Sequence, residues 1–308
     1  MCGLCSWASS MLCVNRWAQV GAGVLSAAVS CWESLHYKHT HDKLEMQMDL
    51  LLLLLLLLGN CAAVILDKVD LGRVPRVVGG QRIEVNTQPH MVNIRRRGDF
   101  QCGGSLVSPR CVLTAAHCLQ AQEHQPTDYV VRGGVTYLRD MRNARYVNRI
   151  LLPSGYNRST LDQDVALLQL QNPLQGAHIE PISLARQAPR AGSYVRISGW
   201  GLTDERSRQL PNQLHSVQVK VLSRPKCQQL YQGYRNLTAS MYCASVAGHK
   251  DACDADSGGP AVNAEGQLVG IVSWGRADRC AREDSPGVYT SVPHLYDWIA
   301  HNMRRYCH

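Results

Sequence analysis

Short hydrophobic runs, alternating or fully apolar, are spread over the C-terminal three quarters of the chain. Clusters of Gly, Pro, Asn and Asp separate these runs, a pattern typical of many short strands. The clearest runs are 101–107, 110–116, 164–170, 194–200, 266–274 and 287–292. The last segment is different, because Leu295, Trp298, Ile299 and Met303 recur at helical spacing and predict an amphipathic helix over His294–Arg305. The pattern therefore predicts an all-β domain that ends in one helix.

Nine consecutive leucines, Leu50–Leu58, mark the N-terminal quarter. Small residues follow at Cys61–Ala63, as signal peptidase requires, so residues 48–63 are predicted to be a secretory signal peptide. The apolar stretch ends at Leu66 and is shorter than the roughly 20 residues of a membrane-spanning helix. A signal anchor, which would leave the protein attached to a membrane, stays open as the alternative. Residues 1–47 resemble no domain and are expected to be an unstructured upstream extension.

Cysteine content and charge favour a secreted, extracellular protein. The chain has 13 cysteines, and those after residue 76 suffice for a set of disulfides, which form in oxidising compartments. The formal net charge is +8. Two basic segments, Arg95–Arg97 and Arg139–Arg149, are candidates for binding anionic polysaccharide, although ordinary solvated charge is the simpler interpretation. No nucleic-acid-binding module is present, so no nucleic-acid partner is expected.

Three short motifs carry residues suited to nucleophilic catalysis. Asp251–Pro260 reads DACDADSGGP and places Ser257 among glycines, while Leu113–Cys118 reads LTAAHC and contains His117. Asp164 begins the apolar run DVALLQL. A serine hydroxyl needs a base to take its proton and a carboxylate to orient that base. Each motif alone is weak, but together, in the order His, Asp, Ser, they resemble those of the chymotrypsin-fold family of trypsin-like serine proteases.

Four more segments extend the resemblance over almost all of the chain beyond its N-terminal quarter. They are Val77–Gly80, Ser198–Gly201, Val272–Gly275 and Ser285–Val292. The resemblance implies an all-β fold of two packed six-stranded antiparallel barrels with a C-terminal helix, formed by a peptidase domain at residues 77–308. The pattern is most similar to three-disulfide, arthropod-type members of the family.

A catalytic triad is the first expectation from the resemblance. Ser257 would attack the scissile carbonyl, His117 would shuttle the proton to the leaving amine, and Asp164 would hold the imidazole tautomer. Asp162 is the nearest rival to Asp164, but it lies two residues too early for the motif and is interpreted as a solvated loop charge.

The expected oxyanion hole consists of the backbone N–H groups of Ser257 and Ala255. The family usually has glycine where this chain has Ala255. Alanine keeps the donor but restricts the φ angle that aims it, at a cost of about 1 to 2 kcal/mol if the conformation is left-handed. A second hypothesis therefore stays open, in which the chain is a catalytically weak or inactive protease-like binding protein that acts through its cationic surface.

Substrate choice is expected to depend on Asp251, six residues before Ser257. By resemblance it lies at the floor of the pocket, where a carboxylate favours the side chain of Arg or Lys. Ser273, Gly275 and Gly287 match other substrate-binding positions, and the two glycines leave room for a long side chain. The resemblance implies hydrolysis of peptide bonds after Arg or Lys.

Activation by proteolysis is expected at the end of a propeptide, residues 64–76. Cleavage after Arg76 would free the ammonium group of Val77, which would then insert beside Asp256 and assemble the pocket. Ser183 stands where two-chain relatives have a linking cysteine, so the propeptide would not remain attached. The protein is thus predicted to be made as a zymogen.

Three disulfides are implied by the resemblance, namely Cys102–Cys118, Cys227–Cys243 and Cys253–Cys280. A fourth family bridge is missing at both ends, where Val195 and Asn263 stand. Cys111 and Cys307 remain. In the family that the chain resembles, the position of Cys111 packs under the C-terminal helix, where Cys307 would end, so an unusual Cys111–Cys307 bridge is predicted. The alternative is one buried free thiol and one exposed thiol.

Two glycosylation sequons, at Asn157 and Asn236, matter because the chain is predicted to be secreted. No metal site and no cofactor are expected, and Gly133–Arg145, which replaces the family's calcium loop, is basic rather than acidic. The expected partners are protein or peptide substrates with Arg or Lys at the cleaved bond, an activating protease and protease inhibitors. The protein is expected to be a monomer.

Overall fold

The structure, a computed structural model, describes residues 80–119, 125–202, 209–245, 256–276 and 285–308. All of them belong to one compact unit, Val74–His308. The predicted signal peptide and propeptide lie outside the described residues. So do several predicted site residues, namely Arg76, Val77, Asp251, Cys253, Ala255 and Cys280. Within the described part of the chain, no helix is long and apolar enough to cross a membrane.

The first barrel consists of six antiparallel strands that close in the order β2, β3, β4, β7, β6, β5. Their bounds are β2 Met91–Arg96, β3 Asp99–Ser108, β4 Cys111–Thr114, β5 Tyr129–Gly133, β6 Ala144–Leu151 and β7 Ala166–Leu170. Strands β4 and β7 pair in the register Val112 with Leu168, and both residues are fully buried. Burial of such aliphatic side chains stabilises the barrel by roughly 1.5 to 3 kcal/mol each.

The second barrel closes in the order β8, β9, β10, β13, β12, β11, and β1 (Gln81–Arg82) is added at the edge of β9. Its strands are β8 Tyr194–Gly199, β9 His215–Val221, β10 Met241–Ser245, β11 Pro260–Val262, β12 Leu268–Trp274 and β13 Gly287–Ser291. Along β9 the buried residues His215, Val217, Val219 and Val221 alternate with more exposed polar ones, as the period of a strand requires. The predicted fold of two six-stranded barrels is confirmed.

Two α-helices accompany the barrels in the described residues. Helix α1, Arg224–Tyr231, begins where the Ser223 side chain accepts a hydrogen bond from the backbone N–H of Lys226. Helix α2, Tyr296–Tyr306, is the predicted C-terminal helix, and it buries Ile299 against the first barrel's core. Three short 3-10 helices lie at Val85–Thr87, Ala116–Leu119 and Pro126–Asp128.

Three disulfides join these elements. Cys102 on β3 is bonded to Cys118 in the second 3-10 helix, and Cys227 on α1 is bonded to Cys243 on β10. The third links Cys111 on β4 to Cys307 at the end of α2, with the two Cα atoms 5.5 Å apart. The Gln169 side chain also donates to the Tyr306 carbonyl at 2.8 Å, so this end of α2 is tied to the first barrel by two kinds of contact.

The positions of the missing family bridge have separate structural roles here. Val195 is buried in the core of the second barrel at 1% exposure. Asn263 closes the turn between β11 and β12, where its side-chain oxygen accepts from the Gln267 backbone N–H at 2.7 Å. Apolar packing and a turn hydrogen bond therefore occupy the place of a covalent link.

Candidate active site

His117 lies on the short 3-10 helix that follows β4 directly. The neighbouring Cys118 is bonded to Cys102 on β3, which holds this helix against the barrel. The His117 side chain is 18% exposed, so its ring is accessible at one edge and packed at the other. The local fold thus presents an imidazole at the rim of the first barrel.

Asp164 is fully buried just before β7, and its carboxylate accepts hydrogen bonds from three donors. His117 Nδ1 lies 2.7 Å from Oδ2, and the His117 backbone N–H donates to Oδ1 at 2.9 Å. Ser273 Oγ on β12 donates to Oδ2 at 2.5 Å. Such donors offset the desolvation of a buried anion. Because a carboxylate only accepts, Nδ1 carries the proton and Nε2 of the neutral ring is left as an acceptor.

Thr290 adds a fourth contact to Asp164, since its hydroxyl donates to the Asp164 backbone carbonyl at 3.0 Å. Thr290 lies on β13 and Ser273 on β12, so the second barrel helps to fix an aspartate of the first. Sequence reasoning did not identify Thr290, and it assigned Ser273 to substrate binding alone. The only sequence signal for either contact is a polar residue at a buried strand position.

Asp162 is engaged elsewhere. Its Oδ1 accepts from Thr238 Oγ1 and Ser240 Oγ, each at 2.6 Å, and from the Gln163 backbone N–H at 3.0 Å. Burial opposes ionisation of this carboxyl, but the hydrogen bonds outweigh burial and lower its pKa. Asp162 is therefore a hydrogen-bonded loop anchor rather than the solvated charge expected from the sequence, and Asp164 is the aspartate bonded to His117.

Ser257 lies in the loop between Asp256 and β11. Its backbone carbonyl accepts from the Gly103 N–H at 2.9 Å, a contact from the second barrel to the first. Gly258 follows at φ +79°, a conformation that L side chains rarely adopt, and a Cβ there would collide with Thr114 Oγ1 and the Gly103 carbonyl. The glycine after the serine therefore allows the close approach that fixes Ser257 beside the first barrel.

A chain of contacts connects Ser257 with His117. Gly103, which donates to Ser257, adjoins Cys102, and Cys102 is bonded to the neighbour of His117. In the described part of the chain, no direct hydrogen bond joins Ser257 Oγ to His117 Nε2. The ring nitrogen lies 4.0 Å from Cys118 Sγ instead. Hydrogen bonds between catalytic groups are often long without substrate and shorten in the substrate complex.

Asp256 is buried at 1% exposure, and its Oδ1 accepts from the Gly201 backbone N–H at 2.8 Å. A Cβ on Gly201 would lie 2.4 Å from the Asp256 carboxyl carbon, and a Cβ on Gly199 would collide with Oδ1. Both glycines of the SGWG segment thus make room for this carboxylate. Val77, its predicted partner, is outside the described residues.

Two residues predicted to line the substrate pocket, Gly275 and Gly287, lie within the described part of the chain. Gly275 is exposed, and a Cβ there would meet no atom of a described residue within 4 Å. Gly287 is buried at the start of β13, where it pairs with Ala244 of β10. Asp251, the predicted floor, and Ala255, the predicted oxyanion donor, lie outside the described residues.

The two basic segments are largely engaged in local contacts. Arg95 donates to the Gly98 and Leu138 carbonyls, and burial, followed by repulsion from Arg132, lowers its pKa. Arg97 pairs with Asp128 at 3.2 Å. In the second segment, Arg142 pairs with Asp140 at 2.5 Å, and Arg145 donates to the Pro173 carbonyl at 2.7 Å. These contacts favour the interpretation that the charges are structural or solvated.

The two sequons differ in their surroundings. Asn157 and Asn236 are both exposed, as an acceptor asparagine must be. Asn157 Oδ1 accepts from the backbone N–H groups of Ser159 and Thr160, at 2.9 and 3.0 Å. Among the described residues, one group of potential metal ligands comes together, Cys102, His117 and Cys118, but its two sulfurs are bonded to each other and offer no thiolate.

Several known proteins are similar to this chain. The profile of the family described as Trypsin matches residues 77–299. The chain is similar to trypsin beta of Drosophila erecta, with 38% identity over 229 residues that cover 74% of this chain and 88% of the relative. It is also similar to hypodermin-B of Hypoderma lineatum, with 39% identity over 233 residues, 75% of this chain and 89% of the relative. Among solved structures, neuropsin, a serine protease expressed in the limbic system of mouse brain, matches with a TM-score of 0.67 and 35% identity, covering 73% of this chain and 99% of neuropsin.

Proposed function

Because the chain belongs to the trypsin family of serine proteases, and is a trypsin-like serine endopeptidase that acts on protein substrates, we propose that His117, Asp164 and Ser257 are its catalytic triad. We further propose that it is secreted as a zymogen and cleaves after Arg or Lys. The observation that carries the proposal is the 2.7 Å contact between His117 Nδ1 and the fully buried Asp164 carboxylate. This contact leaves Nε2 as the base that a serine nucleophile requires.

The reaction would proceed through an acyl-enzyme. Ser257 Oγ attacks the scissile carbonyl while His117 Nε2 takes its proton, and the resulting imidazolium is stabilised by Asp164. His117 then gives the proton to the leaving amine, and water hydrolyses the ester by the same route. The Ser273 hydroxyl supports this sequence because its hydrogen bond to Oδ2 helps to hold the Asp164 carboxylate against His117 Nδ1.

The backbone N–H groups of Ser257 and Ala255 would stabilise the oxyanion. Loss of one such donor costs on the order of 10² to 10³ in turnover. The Gly103 bond to the Ser257 carbonyl supports the role of Ser257, because it fixes the peptide group that follows the serine. Alanine at position 255 retains its N–H, so the proposal requires only that the methyl group be accommodated.

Specificity would come from a carboxylate at the pocket floor. Asp251 would pair with the guanidinium or ammonium group of the substrate, an interaction that strengthens when water is excluded. Gly275 supports this assignment because a Cβ there would meet no atom of a described residue within 4 Å. Glycines at positions 275 and 287 would let a long side chain reach Asp251.

Activation would depend on Asp256. Cleavage after Arg76 creates a new ammonium group at Val77, and a buried carboxylate is the partner that such a group needs. The Asp256 carboxylate is already buried between Gly199 and Gly201, where its Oδ1 accepts a backbone hydrogen bond from Gly201. Signal-peptide cleavage after residue 63 would direct the zymogen out of the cell.

A two-step experiment tests the proposal. The full chain is expressed in a secreting cell, purified from the medium, and cleaved after Arg76 by an added protease. The product is then treated with a fluorophosphonate and given matched Arg, Lys and Phe peptide substrates. We expect labelling of Ser257 and hydrolysis after Arg and Lys only.

Matched variants separate the parts of the proposal. Ser257→Ala should lose both labelling and turnover, and Arg76→Gln should remain an unlabelled zymogen. Absence of labelling in the cleaved wild-type protein, with a free Val77 shown by N-terminal sequencing, would contradict the proposal and favour the binding-protein hypothesis. Turnover of the Phe substrate at the Arg rate would contradict the role of Asp251.

A further inference from the structure

An aromatic cluster borders the catalytic residues on the second barrel. Tyr231 lies 4.8 Å from Trp274 and 6.1 Å from Tyr234, measured between ring centroids. Trp274 directly follows Ser273, which is bonded to Asp164. Leu161, three residues before Asp164, packs in the same hydrophobic cluster as Trp274. The aromatic cluster Tyr231, Tyr234 and Trp274 therefore begins beside the catalytic dyad.

Two guanidinium groups rest on this cluster. Arg235 lies 5.0 Å from the ring centroid of Trp274, and Arg276 lies 4.6 Å from that of Tyr234. Cation–π contacts of this kind hold a guanidinium at a defined place without neutralising it. A guanidinium in a cation–π contact can still donate its terminal N–H groups to a carboxylate. The cluster thus positions two cations along one surface.

Neither arginine is in an ion pair with any described residue. Asp162, the carboxylate on the loop before Asp164, is engaged by Thr238 and Ser240. Both arginine side chains are half-buried, and Tyr234 is 50% exposed, so the surface is accessible. It is an uncompensated positive patch within the described part of the chain.

The backbone beside this patch can accept an extended peptide. The pairing of β12 with β11 ends at Ile271, and Val272 bonds to Gly258 and Gly259. Beyond Val272, no described strand pairs with this edge of β12. An extended segment adds readily to such an edge through main-chain hydrogen bonds, while its side chains contact neighbouring pockets. A peptide there would run from Ser257 past Gly275 and towards Arg276.

We propose that Arg235 and Arg276 select substrates that carry acidic side chains at the third and fourth positions before the cleaved bond. The inference rests on the proposed function, because it requires Gly275 to line the pocket that binds the substrate residue before the cleaved bond. Arg276 is the next residue along the same edge, so substrate residues further from the bond lie beside it. A substrate carboxylate beside Arg276 would replace water as the partner of a guanidinium that the aromatic ring already holds in place.

The test uses the full chain cleaved after Arg76 and two coumarin amide peptides, acetyl-Glu-Glu-Pro-Arg and acetyl-Gln-Gln-Pro-Arg. The two peptides differ only in the charge at the third and fourth positions before the cleaved bond. The ratio of their kcat/KM values therefore measures the effect of that charge. We expect a preference for the Glu peptide of about five- to tenfold at low salt, as two partly exposed ion pairs would give. The ratio should fall as salt is raised from about 0.05 M to about 0.5 M, because screening shortens the Debye length.

Three variants sharpen the test. The double variant Arg235→Gln and Arg276→Gln should reduce the ratio to about one to two, the value without ion pairs. Arg196→Gln, an exposed arginine on β8 outside the aromatic cluster, is the matched control and should retain the wild-type ratio. Tyr234→Ala should give an intermediate ratio, since it removes the support of Arg276 and leaves its charge.

The outcomes distinguish this inference from the proposed function. Hydrolysis of both peptides at equal rates, or a wild-type ratio in the double variant, would overturn the acidic preference and leave the triad proposal intact. If the double variant loses rate equally with both peptides, Arg235 and Arg276 have a structural role only, and the acidic preference is also overturned. If neither peptide is cleaved and Ser257 is not labelled, the proposed function fails and the inference fails with it.

Discussion

The Cys111–Cys307 bridge should be the largest single covalent contribution to the stability of the domain. It closes a loop of 196 residues, whereas Cys227–Cys243 closes one of 16. Loop-closure entropy in the unfolded chain gives about 5 kcal/mol for the long loop and about 3 kcal/mol for the short one. The difference of about 2 kcal/mol follows from the logarithm of loop length alone.

Chemical denaturation of three forms measures this effect. Cys307→Ala removes the bridge and keeps the buried Cys111 side chain, and a second alanine at position 111 then reports the packing of that side chain separately. We expect the first change to lower the free energy of unfolding by about 5 kcal/mol, and the melting temperature by about 10 to 20 °C. Removal of both Cys227 and Cys243 is the reference and should cost less.

Two outcomes would refute the reasoning. A loss below about 1 kcal/mol for Cys307→Ala would mean that the native contacts of α2 alone hold the C-terminus, through Ile299 and the Gln169 bond to Tyr306. The reasoning would also fail if removal of Cys227–Cys243 lowered the free energy of unfolding more than removal of Cys111–Cys307. Loop length would then not determine which bridge stabilises the domain more. Thiol counting under denaturing conditions, without reductant, checks that the bridge is present in the wild-type protein.

Three further predictions concern the buried polar groups. Asp164→Asn should lower kcat by about 10⁴ with little change in KM, because the wrong imidazole tautomer is held, while Asp162→Asn serves as the control and should retain most of the activity. Gly201→Ala should cost about 1 to 3 kcal/mol in chemical denaturation and abolish peptide hydrolysis, since its Cβ would overlap the Asp256 carboxylate, and a fully active variant would contradict that role. Burial lowers the pKa of His90 to about 4, so the unfolded state binds more protons below about pH 6.5 and the folded state loses about 3 kcal/mol as pH falls to about 4. Denaturation of His90→Phe over this range should show a shallower pH dependence, and an identical one would exclude His90 as the source.

The strands and the C-terminal helix were predictable because they depend on local pattern, whereas the two barrels were implied by the resemblance to a known family. Alternation along runs such as 194–200 and 287–292 specified strands, and the 3.6-residue spacing of Leu295, Trp298 and Ile299 specified α2. In the structure this helix spans Tyr296–Tyr306 rather than the predicted His294–Arg305. Hydrophobic periodicity is a property of neighbouring residues, so it needs no knowledge of the tertiary fold.

The contacts around Asp164 were not predictable in the same way. Ser273 and Thr290 lie more than 100 residues away along the chain, with separations of 109 and 126. A serine and a threonine on buried strands are common, and nothing local says which carbonyl or carboxylate they meet. The same holds for Asp162, whose hydroxyl partners Thr238 and Ser240 follow more than 70 residues later.

These long-range contacts make the geometry of the proposed catalytic site a property of the packing between the two barrels. Asp164, which belongs to the first barrel, is oriented by Ser273 and Thr290 of the second. Ser257, which belongs to the second, accepts a hydrogen bond from Gly103 of the first. A small shift of one barrel against the other would therefore displace the proposed base and the proposed nucleophile together, although each barrel keeps its own core. Because a misplacement of about 1 Å can cost on the order of 10² in rate, substitutions at this interface should reduce turnover before they measurably lower the free energy of unfolding.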